Sequence, residues 1–185
     1  TSILFTCGKG LDENTAKMLK SAGLFGLGIS LDSANPDEHD KRRGAQGAFD
    51  WAIRAIKNSQ NAGLYTMIQT VVLRKDLNKK HFFGLCRLAG RLGVKEIRVL
   101  EPIKSGKFFK EAKDIFFTKE DRKKLIKFHF MANNIPGYPK ISTFAHTESD
   151  EKYGCGAGIQ HSYINSNGDL YPCDFVPITF GNVIN

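Results

Sequence analysis

Over its first hundred residues the chain alternates short apolar runs with longer stretches whose apolar residues recur at helical spacing. The runs are SILF (2–5), LFGLGISL (24–31), LYTMIQTVVL (64–73) and EIRVL (96–100). Their length and, in the third, their β-branched content predict strands. DENTAKMLKSAG predicts a helix with Asp12 as N-cap and Gly23 just past its end. A long loop after Leu31 leads to a predicted helix over 45–62, with Phe49, Ile53, Ile56 and Gln60 at helical spacing and Gly63 closing it. KKHFFGLCRLAGRLG predicts the next helix, closed by Gly93. Strands alternating with amphipathic helices imply parallel β/α units, from an open doubly wound sheet or part of a barrel. In either architecture binding residues sit at the carboxyl ends of strands. Those ends lead into TCGKG (6–10), DSANPDEHDKRRG (32–44), RKDLNKK (74–80) and EPIKSGK (101–107), each carrying Lys or Arg.

Beyond residue 107 the pattern changes. Thr118 and Asp121 are spaced as a capping box opening a helix over about 119–133. Residues 134–154 read as a polar connector with at most one short strand at ISTFAH. Asn167-Gly168 then signals a tight turn across which HSYIN and DLYP pair. Such a hairpin brings Cys155 and Cys173 together at its feet. Two thiols so placed are read, from the residues alone, as a disulfide, as part of a zinc site helped by His161 or His146, or as free thiols.

The length of 185 residues suits one domain or slightly more, and 41% hydrophobic with 25% charged residues is a globular composition. Four cysteines are too sparse for a disulfide scaffold, which with the lack of a signal-like segment points to the cytoplasm and against the disulfide. No apolar run reaches the length of a membrane span. The net charge of +8 fits either an anionic partner or a solvated lysine-rich surface. With no long basic block or RNA-type aromatic motif, the surface is favoured, and nucleotide or nucleic-acid binding by a cluster-free module stays as the alternative. Cys86, among Phe82, Phe83 and Ala89, reads as core, and Cys7 is also expected to pack.

The second loop carries the most chemistry. Ser30 and Asp32, two apart at a strand end, are expected on one face, with Ile29 and Leu31 on the other. A hydroxyl beside a carboxylate suits a ribose, and the guanidinium of Arg43 suits a carboxylate or phosphate. The plainer reading has Ser30 and Asp32 ending the strand, Asp37 or Asp40 capping a turn, and Arg43 solvated.

The words SLDS, EHDKRRG and GAFDWAIRAI, taken together, resemble the fourth strand, loop and helix of radical S-adenosylmethionine (SAM) enzymes, typically S-L-D-G then H-D-x-x-R-G. His39, Asp40, Arg43 and Gly44 match as they stand, and Ser33 replaces the usual Gly. ILFTCG, TVVL with Asn78, and RVLEPIKSGK resemble the adjoining strands. At the other end, Cys155 and Cys173 in C-x12-G-x4-C, with Gly181-Asn182 following, resemble the opening of the SPASM and twitch domains.

The resemblance implies a partial TIM-like parallel β/α barrel of about four units over 1–112, a helix and connector over 113–152, and the start of an auxiliary domain over 153–185. It implies SAM binding by Thr6, Ser30, Asp32 and Arg43, with Arg42 as an alternative to Arg43. It further implies ligation of an auxiliary 4Fe-4S cluster by Cys155 and Cys173, an electron donor, and a peptide, protein or cofactor precursor as substrate. The family's C-x3-C-x2-C cluster motif and its glycine-rich SAM motif do not occur in the 185 residues. The chain is therefore expected to be an internal piece of a larger enzyme, inactive alone.

Overall fold

A computed structural model describes residues 2–104, 113–149, 152 and 154–184. The end of the fourth strand-end loop, Ser105 to Lys107, and the domain boundary expected at 112 lie outside the described residues.

Five strands form one parallel sheet in sequence order: β1 (Ile3–Thr6), β2 (Gly26–Ser30), β3 (Tyr65–Val71), β4 (Glu96–Leu100) and β5 (Lys140–Thr143). Helices α1 (Glu13–Ser21), α2 (Pro36–Arg43), α3 (Ala48–Asn61), α4 (Lys79–Arg91), α5 (Lys119–Asn133) and the short α6 (Phe144–Thr147) intervene or follow. A separate two-stranded antiparallel hairpin, β6 (Tyr163–Ile164) with β7 (Leu170–Tyr171), comes last. This is the α/β architecture that the alternation of strands and helices implies, in the partial-barrel form that the resemblance implies.

Local chemistry starts and stops the helices. Asp12, Asn35 and Asn78 each accept from a backbone N–H three residues on, at 2.7, 3.0 and 2.9 Å. Thr118 and Asp121 form the reciprocal capping box of α5. Register then divides the sheet. Leu27 and Ile29 of β2, Ile68 of β3, Ile97 and Val99 of β4 and Ile141 of β5 belong to the buried core that also contains Ala52, Ile56, Leu85, Cys86, Leu125 and Phe128 of the helices. The alternate positions, including Gly28, Ser30, Gln69, Arg98 and Ser142, occupy the opposite face.

Four expectations are corrected. The long loop after Leu31 contains α2, a polar helix begun by Asn35 and Pro36 and closed by Gly44 at φ +64°. It has no apolar stripe to announce it, only the buried His39. The third helix starts at Ala48 rather than 45, and its buried stripe is Ala52, Ala55, Ile56 and Ser59, with Phe49 and Ile53 only partly buried beside the core. The connector supplies β5, which pairs parallel with β4 over Lys140–Thr143, so the sheet has five strands rather than four. Cys7 is exposed rather than packed.

Candidate functional site

The carboxyl ends of β1 and β2 are shaped by close approach. Gly8, at φ +86°, lies where a Cβ would come within 2.8 Å of Ala55 and 2.9 Å of the Trp51 carbonyl, so the first loop turns directly against α3. Thr6 is in register with Ile29, on the helix-covered face, and its hydroxyl accepts from the Gly8 N–H at 3.0 Å. On the opposite face the Phe5 ring fills the space above Gly28, where a Cβ would meet it at 2.3 Å.

The second loop is fastened from within. Asp32 is 5% exposed; one carboxylate oxygen accepts from Thr70 Oγ1 (3.3 Å) and Val71 N–H (3.4 Å), and the other pairs with Arg43 at 2.8 Å. The Asp32 N–H donates to Nδ1 of His39, a ring 1% exposed. That bond requires a neutral imidazole; burial holds the ring below its ordinary pKa, against the opposing pull of Asp32. Ser33 donates to Glu38 at 2.7 Å. Asp40 accepts from the N–H groups of Phe49 (2.8 Å) and Gly47 (2.5 Å), which caps α3 and lowers the carboxyl's pKa. The H-D pair of the loop thus acts internally: His39 holds the strand end and Asp40 starts the next helix.

The two arginines differ. Arg42 is committed, giving Val71 O a bond at 2.6 Å and Asp76 one at 3.1 Å. Arg43 is 31% exposed and, among the described residues, pairs through Nη2 with Asp32. Ser30 is half-buried and its hydroxyl has no protein partner among the described residues. Ser30, Asp32 and Arg43 are brought to one strand end. Thr6 stands in the neighbouring turn, its hydroxyl used by its own loop.

In the hairpin, Ile164 pairs with Leu170 and Tyr163 with Tyr171. The connection runs over Asn165–Asp169, wider than the two-residue turn that Asn167-Gly168 suggests, because the Asn165 side chain organises it. Its carbonyl accepts from the N–H groups of Asn167 (2.9 Å) and Asp169 (3.0 Å). Gly168 supplies φ +85°. Asn182 then ties the following segment back, donating to Asn167 O and Asp169 Oδ1, both at 2.9 Å.

The cysteine-bearing ends approach each other. The N–H of Gly158, three residues after Cys155, donates to Pro172 O, just before Cys173, at 3.0 Å. Both thiols are free, Cys155 exposed and Cys173 9% exposed. Among the described residues no group of three or more His, Cys, Asp or Glu is placed to hold a metal ion, which leaves His161 and His146 out of a zinc site with these thiols. Nor is any described helix long and apolar enough to cross a membrane.

Such an arrangement defines a class: a partial parallel β/α barrel, with a polar loop fastened at one strand end and a cysteine hairpin downstream. Residues 2–89, just under half of the chain, match the Radical SAM superfamily. The chain is 27% identical to the AdoMet-dependent heme synthase of Nitratidesulfovibrio vulgaris (strain Hildenborough), over 92% of this chain and 52% of that protein. In fold it is similar to anSMEcpe with bound AdoMet, with a TM-score of 0.69 and 20% identity over 97% of this chain and 53% of that one. Streptococcus suis SuiB bound to its precursor peptide SuiA gives 0.70 and 17%, over 97% of this chain and 44% of that one. The chain spans about half the length of the relatives it matches.

Proposed function

We propose that this chain forms part of an enzyme that uses SAM to modify a peptide, protein or cofactor precursor, and that the end of β2 grips SAM. The observation that carries this reading is the half-buried Ser30 hydroxyl, without a protein partner among the described residues, at the strand end where Asp32 holds Arg43. Donors and acceptors of that kind fit the ribose and methionyl groups of SAM. Ser30 binds the ribose or methionyl part. Arg43, which keeps Nε and Nη1 while Asp32 occupies Nη2, holds the carboxylate; Arg42 is already spent on β3. Asp32 positions Arg43 and fastens the loop, and Thr6 shapes the neighbouring turn at the pocket edge.

The thiols of Cys155 and Cys173 suit an auxiliary iron–sulfur cluster, with further ligands from elsewhere. Cysteines at 7, 86, 155 and 173 do not supply the C-x3-C-x2-C set, so the SAM-cleaving cluster draws its ligands from outside these residues. When bound, SAM and that cluster supply a carbon radical that takes a hydrogen atom from the substrate. The chain's own part is to bind, orient and shield. Peptide substrates are supported by the likeness to SuiB in complex with SuiA, and cofactor precursors by the heme synthase relative.

The test is SAM binding by equilibrium dialysis with the intact protein, together with iron content after anaerobic reconstitution. Ser30→Ala and Arg43→Ala are each expected to weaken SAM binding about tenfold, the scale of one or two hydrogen bonds to a charged or polar group. Cys155→Ser and Cys173→Ser should lower bound iron while SAM affinity is kept. Unchanged SAM affinity in both strand-end variants would overturn the site assignment.

A further inference from the structure

The face of the sheet away from the helices carries a polar row of which the SAM site uses only the first member, Ser30. Ser30 pairs in register with Gln69, Gln69 with Arg98, and Arg98 with Ser142. Four consecutive strands thus present a polar side chain at one level. At roughly 4.8 Å per strand the row is about 14 Å long, the span of a small ligand or a short peptide segment. None of the four is fully buried.

Arg98 is the charged member and is held in an unusual way. Its Nε contacts Glu96 at 3.3 Å, and the other oxygen of Glu96 accepts from the Tyr65 hydroxyl at 3.1 Å. Glu96 is thereby occupied on both oxygens and fixes the guanidinium from its Nε side. The two Nη amines have no partner among the described residues, and the side chain is 31% exposed. Facing the same region, Lys140 pairs in register with Glu96, so the charged groups here, Glu96, Arg98 and Lys140, sum to a net positive strip. A guanidinium whose paired Nη edge is left open, flanked by the neutral hydrogen-bonding groups of Gln69 and Ser142, is built for a planar anion.

We propose that this row anchors the substrate, with Arg98 receiving a carboxylate that the substrate carries. The inference rests on the reading of the β2 end as the SAM site. It places the substrate's anionic end two strands away from Ser30, about 10 Å across the sheet. Gln69 and Ser142 supply hydrogen bonds to either side of the carboxylate. Glu96 is a positioning residue: it orients the fork without touching the ligand.

Phenylglyoxal, which reacts with guanidinium groups, tests this on the unmodified intact protein, with each arginine read by peptide mass mapping. Succinate is the probe anion; its neutral diamide and sodium chloride at equal ionic strength are the comparisons. Succinate is expected to slow modification of Arg98 about fivefold, as a bidentate contact would, and to leave Arg42 and Arg43 within about twofold. The diamide and chloride should leave Arg98 unprotected. Equal protection by the diamide or chloride, equal slowing of all three arginines, or no protection would each overturn the proposal. Saturating SAM should leave the Arg98 rate unchanged; protection by SAM would show that Arg98 serves the SAM carboxylate, which also overturns it. Failure of SAM to bind in dialysis would sink the SAM-site reading, while the succinate comparison still reports on Arg98.

Discussion

The Asp32 N–H donates to Nδ1 of His39 at 3.1 Å, joining the end of β2 to the middle of α2 through a ring with 1% exposure. His39→Ala would leave that buried N–H without an acceptor and open a cavity. A loss of about 2–4 kcal/mol is expected in urea unfolding.

The same bond sets an acid limit. Since burial depresses the folded-state pKa of His39 below 6.5, its contribution to stability is complete above that value. It is lost as pH falls from there through the folded-state pKa, when the protonated ring no longer accepts. Melting temperature followed from pH 7.5 to 5 should therefore fall, and His39→Ala should flatten the decline.

The pairing of Asp32 with Arg43 gives a graded prediction. Asp32→Asn removes the charge partner of Arg43 but can keep an oxygen toward Val71 N–H. With Arg43 31% exposed, solvent screens the pair, so a cost of about 1 kcal/mol is expected by chemical denaturation. SAM affinity should fall with it, because Arg43 loses its support.

Gly168→Ala tests the hairpin. The substitution forces a side chain onto φ +85°, with its Cβ 2.6 Å from Ile184 and 3.0 Å from Asn182 Oδ1. A local cost of about 1–3 kcal/mol is expected. Hydrogen exchange should quicken at Val183, whose N–H donates to Gly168 O at 2.8 Å, and stay slow at Ile68 in the sheet.

Alkylation should separate the cysteines. Burial pushes the Cys86 thiol up to about 12, so at pH 8 it is neutral and covered. Iodoacetamide is expected to label the exposed Cys7 and Cys155 first, and Cys86 only on unfolding. Mass mapping of early time points checks this; rapid labelling of Cys86 would contradict the packing described.

The order of strands and helices, the caps at Asp12 and Thr118, and the glycines closing three helices were fixed by the sequence itself. These features depend on residues within four or five positions of one another: a carboxylate reaching the next turn's N–H, or a left-handed glycine past a helix end. Only the tertiary structure decided that Lys140–Thr143 joins the sheet, since a four-residue strand is stabilised by pairing with β4 rather than by its own composition. The same holds for α2, whose single buried residue, His39, is fixed by a strand end seven positions earlier. It holds too for the partners of Arg42 and Arg43: adjacent in sequence, they reach different strand ends, Val71 with Asp76 for one and Asp32 for the other. Nor could any local pattern align Ser30, Gln69, Arg98 and Ser142, because strand register is set by the packing of the whole opposite face.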